Sequence, residues 1–369
     1  MKGLADLIRD PDGRAFLHEA GIFLDPAAFL AAVAPMGGPC AIYTHQQPSA
    51  DFRRSVVAKI AALDAVKRLR PEAVDAVFVL IDTDRAESSK AATRISWRHP
   101  DGRVAALKVT PPGSGLREFR HVELDPAQLS AIAARLAAWL RQLPGGREAA
   151  EARLAALLPT FLPTVPVALG QWSASVAAFL LAAHLDARPR MTTVSLLADR
   201  GTLAAPLAAL MGARDAFVAA VDRRVAELHG AGIETAVSTL PADYLPLFHS
   251  CPADGTRLRL RLRRQGGDRH ATAQCRCGRR YDFPLGPRGQ DMEALFATGR
   301  WSPDVTLPVL LNGSFSGMVA GRSSALYSLV LGAAMREALG TRPVPILVPA
   351  ALAAAQPGPD GLLQSWLTG

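Results

Sequence analysis

Pro39-Cys40-Ala41-Ile42-Tyr43-Thr44-His45-Gln46-Gln47-Pro48-Ser49-Ala50-Asp51 sets the architecture of the chain. Its first five residues form a short apolar run that reads as a buried strand. Thr44 to Pro48 breaks the run. Beyond it, Val56, Val57, Ile60, Ala61, Leu63, Ala65, Val66 and Leu69 recur at helical spacing, which predicts an amphipathic helix. Ser49 or Asp51 can cap that helix by accepting free backbone N–H groups of its first turn. Ala76-Val77-Phe78-Val79-Leu80-Ile81 then reads as a second buried strand, ending at Asp82-Thr83-Asp84. Strand, polar turn, helix, strand and acidic loop make a βαβ unit. In open α/β sheets, ligands sit beyond the carboxyl ends of the strands. Residues 44–47 and 82–84 both fall at such ends, and the intervening helix N-terminus suits an anion.

Working outward, 92–97 and 104–109 flank Pro100-Asp101-Gly102 and read as a hairpin. Residues 1–35 read as short helices. Further helices are expected over 129–143, closed by Pro144-Gly145-Gly146, and over 148–158, 172–185, 215–229, 292–296 and 324–339. Residues 193–197, 306–311 and 344–348 read as strands. The fold class is therefore α/β, a Rossmann-like, mainly parallel sheet with helices on both faces. Between 244 and 285 helical periodicity gives way to short strands with Cys, Gly and Arg. This divides the chain into a first part of the core (1–243), a zinc-ribbon-like insertion (244–285) and a second part of the core (286–369).

The 369 residues are 49% hydrophobic, enough for a full core, and carry a formal net charge of +8. The basic residues are mostly Arg and scattered, so the charge alone does not mark a nucleic-acid binder. The one concentration is Arg257, Arg259, Arg261, Arg263 and Arg264, read either as a solvated face or as a grip for RNA. No apolar stretch is long enough to span a bilayer without a charge or Pro, so no membrane partner is expected. Met1-Lys2-Gly3-Leu4-Ala5-Asp6 lacks a signal-peptide pattern. Four cysteines, three of them clustered, do not make a disulfide framework at this size. A cytoplasmic protein with one metal site follows as the expectation.

Cys251-Pro252-Ala253-Asp254-Gly255 and Cys275-Arg276-Cys277-Gly278 outline a zinc ribbon, two tight turns offering two ligands each. Cys251, Asp254, Cys275 and Cys277 form the candidate set, with Asp254 where a Cys would be usual. His249 and His270 compete for that fourth place. The alternative is a ribbon that has lost its metal, or three buried free thiols. A zinc here would be structural, because a short module with little apolar content draws folding energy from its metal.

Two stretches together resemble the cysteine-adding enzyme family of bacillithiol biosynthesis. They are Thr44-His45-Gln46-Gln47 with Lys59 and Asp82-Thr83-Asp84, and Ser302-Pro303-Asp304-Val305 with Ala320-Gly321-Arg322-Ser323-Ser324 and Tyr327. His45 stands where that family has Gly, and the family's coiled coil has no counterpart, so a different substrate is implied. Cys275-Arg276-Cys277-Gly278 separately resembles the zinc-binding part of class I lysyl-tRNA synthetases. In such enzymes the position of Arg322-Ser323-Ser324 is that of the second phosphate-binding loop. The resemblances imply a ligase-type enzyme joining an amino acid, cysteine being one candidate, to an amine or other small-molecule acceptor, with ATP and Mg²⁺ as possible activators.

By chemistry and position, His45, Gln47 and Asp82 are the candidate catalytic residues. His45 can donate to a phosphate or act as acid–base. Thr44, Gln46, Lys59, Asp84, Asp304, Asn312, Gly321, Arg322 and Ser323 are candidates for substrate or nucleotide binding. For Lys59, simple solvation is the competing reading, and for Asp82 and Asp84 it is loop and helix capping. His45, Gln47 and Asp82 are expected to converge on one pocket, with Arg322 or Ser323 facing them. There is no Walker loop, Gly-x-Gly-x-x-Gly, Gly-x-Ser-x-Gly or His-Glu-x-x-His motif, which argues against kinase, dehydrogenase, serine hydrolase and zinc peptidase chemistry. The competing function is a non-catalytic RNA- or protein-binding protein using the Arg-rich ribbon.

Overall fold

The apolar run at 40–46 becomes a central strand because both of its faces are covered, as a parallel sheet requires. A computed structural model describes residues 1–33, 40–49, 51–87, 93–143, 147–182, 189–304, 306–341, 344–349, 352 and 362–368. Strand Cys40–Gln46 pairs in parallel with Val74–Leu80 over seven residue pairs, from Cys40 with Val74 to Gln46 with Leu80. On its other side lies Gly317–Val319. The full sheet has six strands in the order Ile22–Phe23, Ile346–Leu347, Gly317–Val319, Cys40–Gln46, Val74–Leu80, Arg190–Thr193, and every neighbouring pair is parallel.

Side-chain alternation sends these strands into different cores. Tyr43, Val77, Val79, Met318 and Ile346 pack with residues of helices Ala204–Gly212, Arg214–Gly230 and Arg322–Leu339. Phe78 and Leu80 pack with Ile60 and with residues of helices Pro126–Leu140, Arg147–Phe161 and Leu169–Ala182. Ile42, Ala76 and Val319 pack with Phe29, Leu30, Leu63 and Val66. Each such aliphatic or aromatic side chain contributes about 1.5–3 kcal/mol on burial. Gly317 is required by one of these contacts, since a Cβ there would lie 2.7 Å from Phe29 Cζ.

The order of strands reverses between Cys40–Gln46 and Gly317–Val319. The strands following Cys40–Gln46 in sequence are laid down on one side of it, and the strands near the end of the chain on the other. This is a topological switch point, where the carboxyl ends of two strands part and leave a crevice.

A second sheet is antiparallel, in the order Arg280–Pro284, Asp268–Gln274, Arg257–Gln265, Tyr244–Ser250, Trp301–Pro303. It extends beyond the 244–285 stretch, because Trp301–Pro303 forms its edge. Leu245, Leu247, Leu260 and Ala271 join the same apolar cluster as Tyr43 and Val77.

Several expectations are corrected. Residues 193–197 are not a strand. The strand is Arg190–Thr193, and the Thr193 hydroxyl accepts from Leu196 N to cap helix Val194–Asp199. Residues 306–311 form a short helix, Leu307–Leu310, running into a 3-10 turn, Leu311–Gly313; Pro308 at its start suits a first helical turn better than a ladder. Neither Ser49 nor Asp51 caps helix Arg54–Leu69, whose N-cap is Arg53 with no side-chain cap bond. Asp51 instead accepts from Ser96 N of the hairpin and from Leu363 N of the last helix. The Arg94–Arg98 and Val104–Lys108 hairpin is as expected. The stop at 144–146, His184 and Val305 lie outside the described residues. No single helix among the described residues is long and apolar enough to cross a membrane.

Candidate functional site

At the switch point the four polar residues after Tyr43 do different work. Thr44 is fully buried, and its hydroxyl donates to Val319 O at 2.8 Å, tying the two parting strands together. His45 is half-buried, with its ring stacked on Tyr43. Its Nε2 lies 3.4 Å from Ser324 Oγ, and its buried Nδ1 has no partner among the described residues. Burial, and secondarily the nearby Lys59 ammonium, push the imidazole down to about 3. His45 is therefore neutral near pH 7 and too weak a base for general acid–base work there. It is a hydrogen-bonding group facing across the crevice.

Lys59 is buried, which corrects the solvated reading. Its Nζ donates to His45 O at 2.6 Å and to Gln46 Oε1 at 3.2 Å, so it locks the backbone of the polar turn. Burial lowers it to about 8. Gly321 is the N-cap of helix Arg322–Leu339, and a Cβ there would come within 3.8 Å of Lys59 Cδ. Ser324, not Arg322 or Ser323, faces His45. Arg322 and Ser323 are exposed, and Arg322 Nη2 would lie 3.8 Å from a Cβ on Gly3. The expectation that Arg322 or Ser323 faces His45 is corrected accordingly.

The acidic loop divides in two. Asp82 is buried and accepts from Ser195 N at 3.0 Å and from the Ser195 hydroxyl. Burial raises its carboxyl above the usual range. Asp84 accepts instead from Gln47 Nε2 at 2.5 Å and from Arg85 N, and pairs with Arg257 Nη1 at 3.5 Å. His45, Gln47 and Asp82 thus have separate partners, Ser324, Asp84 and Ser195, and no hydrogen bond joins them.

Behind the loop lies an ion network that the sequence did not suggest. Glu118 is completely buried. Its Oε1 is 3.2 Å from Arg257 Nε and accepts from the Ser302 hydroxyl, and its Oε2 is 2.6 Å from Arg120 Nε. Arg257 also donates to Pro303 O at 2.8 Å and stacks over Phe248 with its Cζ 3.6 Å from the ring centre. The network joins Trp301–Pro303 and Arg257–Gln265 of the antiparallel sheet to the loop of the parallel sheet. The only sequence signal was the dense charge of 117–121, which a surface loop would show equally.

The rest of the arginine run is also paired. Arg259 meets Asp304 at 2.7 Å, Arg261 meets Asp243 at 2.8 Å, Arg264 meets Asp215 at 3.0 Å, and Arg263 meets Asp282. Asp304 is therefore engaged with the ribbon. Asn312 sits in the 3-10 turn, with its side chain outside the described residues.

The cysteine turns come together. The ligand atoms of Cys251, Asp254, Cys275 and Cys277 all lie within 4.8 Å of one another, and the group could hold a metal ion. Two sulfurs bound at about 2.3 Å in a tetrahedron are about 3.8 Å apart, and a sulfur–oxygen edge is about 3.6 Å. Cys251 Sγ and Cys277 Sγ are 3.7 Å apart, and Cys275 Sγ lies 3.4 and 3.5 Å from the Asp254 oxygens. The donor set and its dimensions fit zinc. Tyr281 OH donates to Cys251 Sγ at 3.0 Å. Gly255 and Gly278 turn the chain at φ 71° and 90°, where a side chain would be strained. His270 is engaged with Asp282 at 2.6 Å, and His249 packs between Tyr281 and Phe283 outside the group, so Asp254 is the residue placed to offer a fourth ligand.

No protein-family model and no curated protein matches the chain.

Proposed function

We propose that the chain is a ligase-type enzyme that joins an amino acid, cysteine being the first to test, to the amine of a small-molecule acceptor. Its reaction centre is the switch-point crevice, and the Cys251, Asp254, Cys275 and Cys277 group holds a structural zinc. The observation that carries this reading is the pairing of His45 with Ser324 across the crevice. There a neutral imidazole, a hydroxyl and the first turn of an 18-residue helix meet. Such a helix end favours a phosphate or carboxylate. An amide bond from a free carboxylate requires activation. ATP, with Mg²⁺ as its counter-ion, would supply it: a carboxylate oxygen attacks the α-phosphorus and pyrophosphate leaves. Attack of the amine on the acyl carbon then expels AMP and releases a proton. In this scheme the helix end and Ser324 bind phosphate, His45 orients it, and Lys59 keeps the turn in shape. The self-pairing of the arginine run supports a small-molecule substrate over RNA.

Amino-acid-dependent exchange of labelled pyrophosphate into ATP tests the reading. The parent should exchange with at least one amino acid, and His45→Gln should lose about tenfold or more, the worth of a hydrogen bond to a charged group, while retaining bound metal. Absence of exchange with every amino acid, together with no nucleotide binding, would refute it.

A further inference from the structure

Asp82 opens on a site distinct from the switch-point crevice. A cleft of 360 Å³ lies where the carboxyl ends of Val74–Leu80 and Arg190–Thr193 meet the start of helix Leu169–Ala182. Asp82, Arg120, Gln171, Thr192 and Ser195 line it. Asp82 is 3% exposed, and its carboxyl is held by Ser195 alone, with no ion pair among the described residues. Arg120 is the cation facing the cleft, but its Nε is on Glu118 and its Nη2 donates to Trp301 O at 2.9 Å. Arg120 and Arg257 share Glu118, and Arg257 also meets Asp84, so these four charges offset one another and Asp82 is left as the cleft's carboxyl without an ion-pair partner among the described residues. Thr192 is 6% exposed, and its hydroxyl has no hydrogen-bond partner among the described residues. A buried, unsatisfied hydroxyl is costly and calls for a partner. Gly170 shapes the wall, since a Cβ there would stand 3.1 Å from Asp82 Cβ.

We propose that this cleft binds the primary ammonium group of a substrate, with Asp82 as counter-ion and the Thr192 hydroxyl as hydrogen-bond acceptor. An ammonium group brings three donors and one positive charge; the cleft offers a carboxylate and hydroxyl oxygens. Burial holds the Asp82 carboxyl above its usual range, and an entering cation reverses that shift. Which substrate carries the amine rests on the ligase reading: it is the amino acid or the acceptor.

Calorimetric titration of the full chain separates these sources. One arm uses free amino acids, a second 2-aminoethanol and other simple amines, and a third the N-acetylated amino acids. Binding confined to amino acids assigns the amino acid, and binding of simple amines assigns the acceptor. In either case Asp82→Asn should weaken binding about tenfold or more, Thr192→Val should weaken it measurably, and the N-acetylated compounds should not bind. Should Asp82→Asn fail to fold, Thr192→Val reads the same cleft. The proposal is overturned if no amine binds the parent, if N-acetylation leaves affinity unchanged, or if the folded variants bind like the parent. Asp82-dependent amine binding without pyrophosphate exchange keeps the cleft and ends the ligase reading. Parental exchange in Asp82→Asn, with binding of amino acids and of simple amines also unchanged, keeps the ligase reading and ends the cleft.

Discussion

The parallel sheet is buried under helices on both faces, whereas the far end of the antiparallel sheet has only Cys251, Leu258 and Cys275 as its own buried apolar cluster. The first region is held by the transfer of many aliphatic and aromatic side chains out of water. The second has too little such surface, and what it offers instead is four groups that could hold a metal ion and surface ion pairs, each of which is worth little. The two regions meet at Glu118 and Arg257, whose charges are buried, and at the half-buried Asp84. One sheet therefore supplies the frame of the candidate site, and the other braces its acidic loop.

The largest expected effect is on metal. The protein as purified should carry about one zinc per chain, and Cys275→Ser should lose it, as read by metal analysis of chelator-free protein. Next comes the buried junction. Arg257→Met removes one of the two guanidinium partners of Glu118, leaving Arg120, and should cost about 1.5–3 kcal/mol of stability in denaturant unfolding. A cost below about 1 kcal/mol, typical of an exposed pair, would mean that the two sheets are not joined there. Acid should act on the parallel region through His45. Between pH about 6.5 and about 3 the unfolded chain binds a proton that folded His45 refuses. Stability contributed by this group is thus lost as pH falls through that window. His45→Gln should flatten this part of the pH profile, and an unchanged slope would contradict the burial argument. The smallest effect belongs to the ribbon surface, where Arg263→Gln should change stability by about 0.5 kcal/mol or less.

Residues 40–47, 54–69 and 76–84 were legible because short apolar runs and a period-3.6 pattern, punctuated by polar turns, are local properties. The metal group was legible because ligand spacing within each turn is local too. The strand at Ile22–Phe23 was not, since two residues carry no period. Residues 193–197 misled because an apolar run of that length suits a strand or a buried helix equally, and the Thr193 cap decided between them. The partners of Asp82 and Gln47 were beyond reach for another reason. Ser195 is 113 residues from Asp82 and Asp84 is 37 from Gln47, and only the fold brings each pair together. Lys59 looked solvated for the same reason: its acceptors, His45 O and Gln46 Oε1, come from a different element.

Hydrogen exchange with and without the metal tests most directly whether the antiparallel sheet braces the site. Cys251 N donates to Thr256 O, beside Arg257, and Arg117 Nε donates to Asp254 O, so the metal turns and the network are continuous. On chelation, amides at 251–256 and 275–281 should lose protection, and those at 84–87 should follow through Arg257. The paired amides of Cys40–Gln46 and Val74–Leu80 should keep theirs. Loss of protection across both sheets together, or none at 84–87 when the metal turns have opened, would contradict the account.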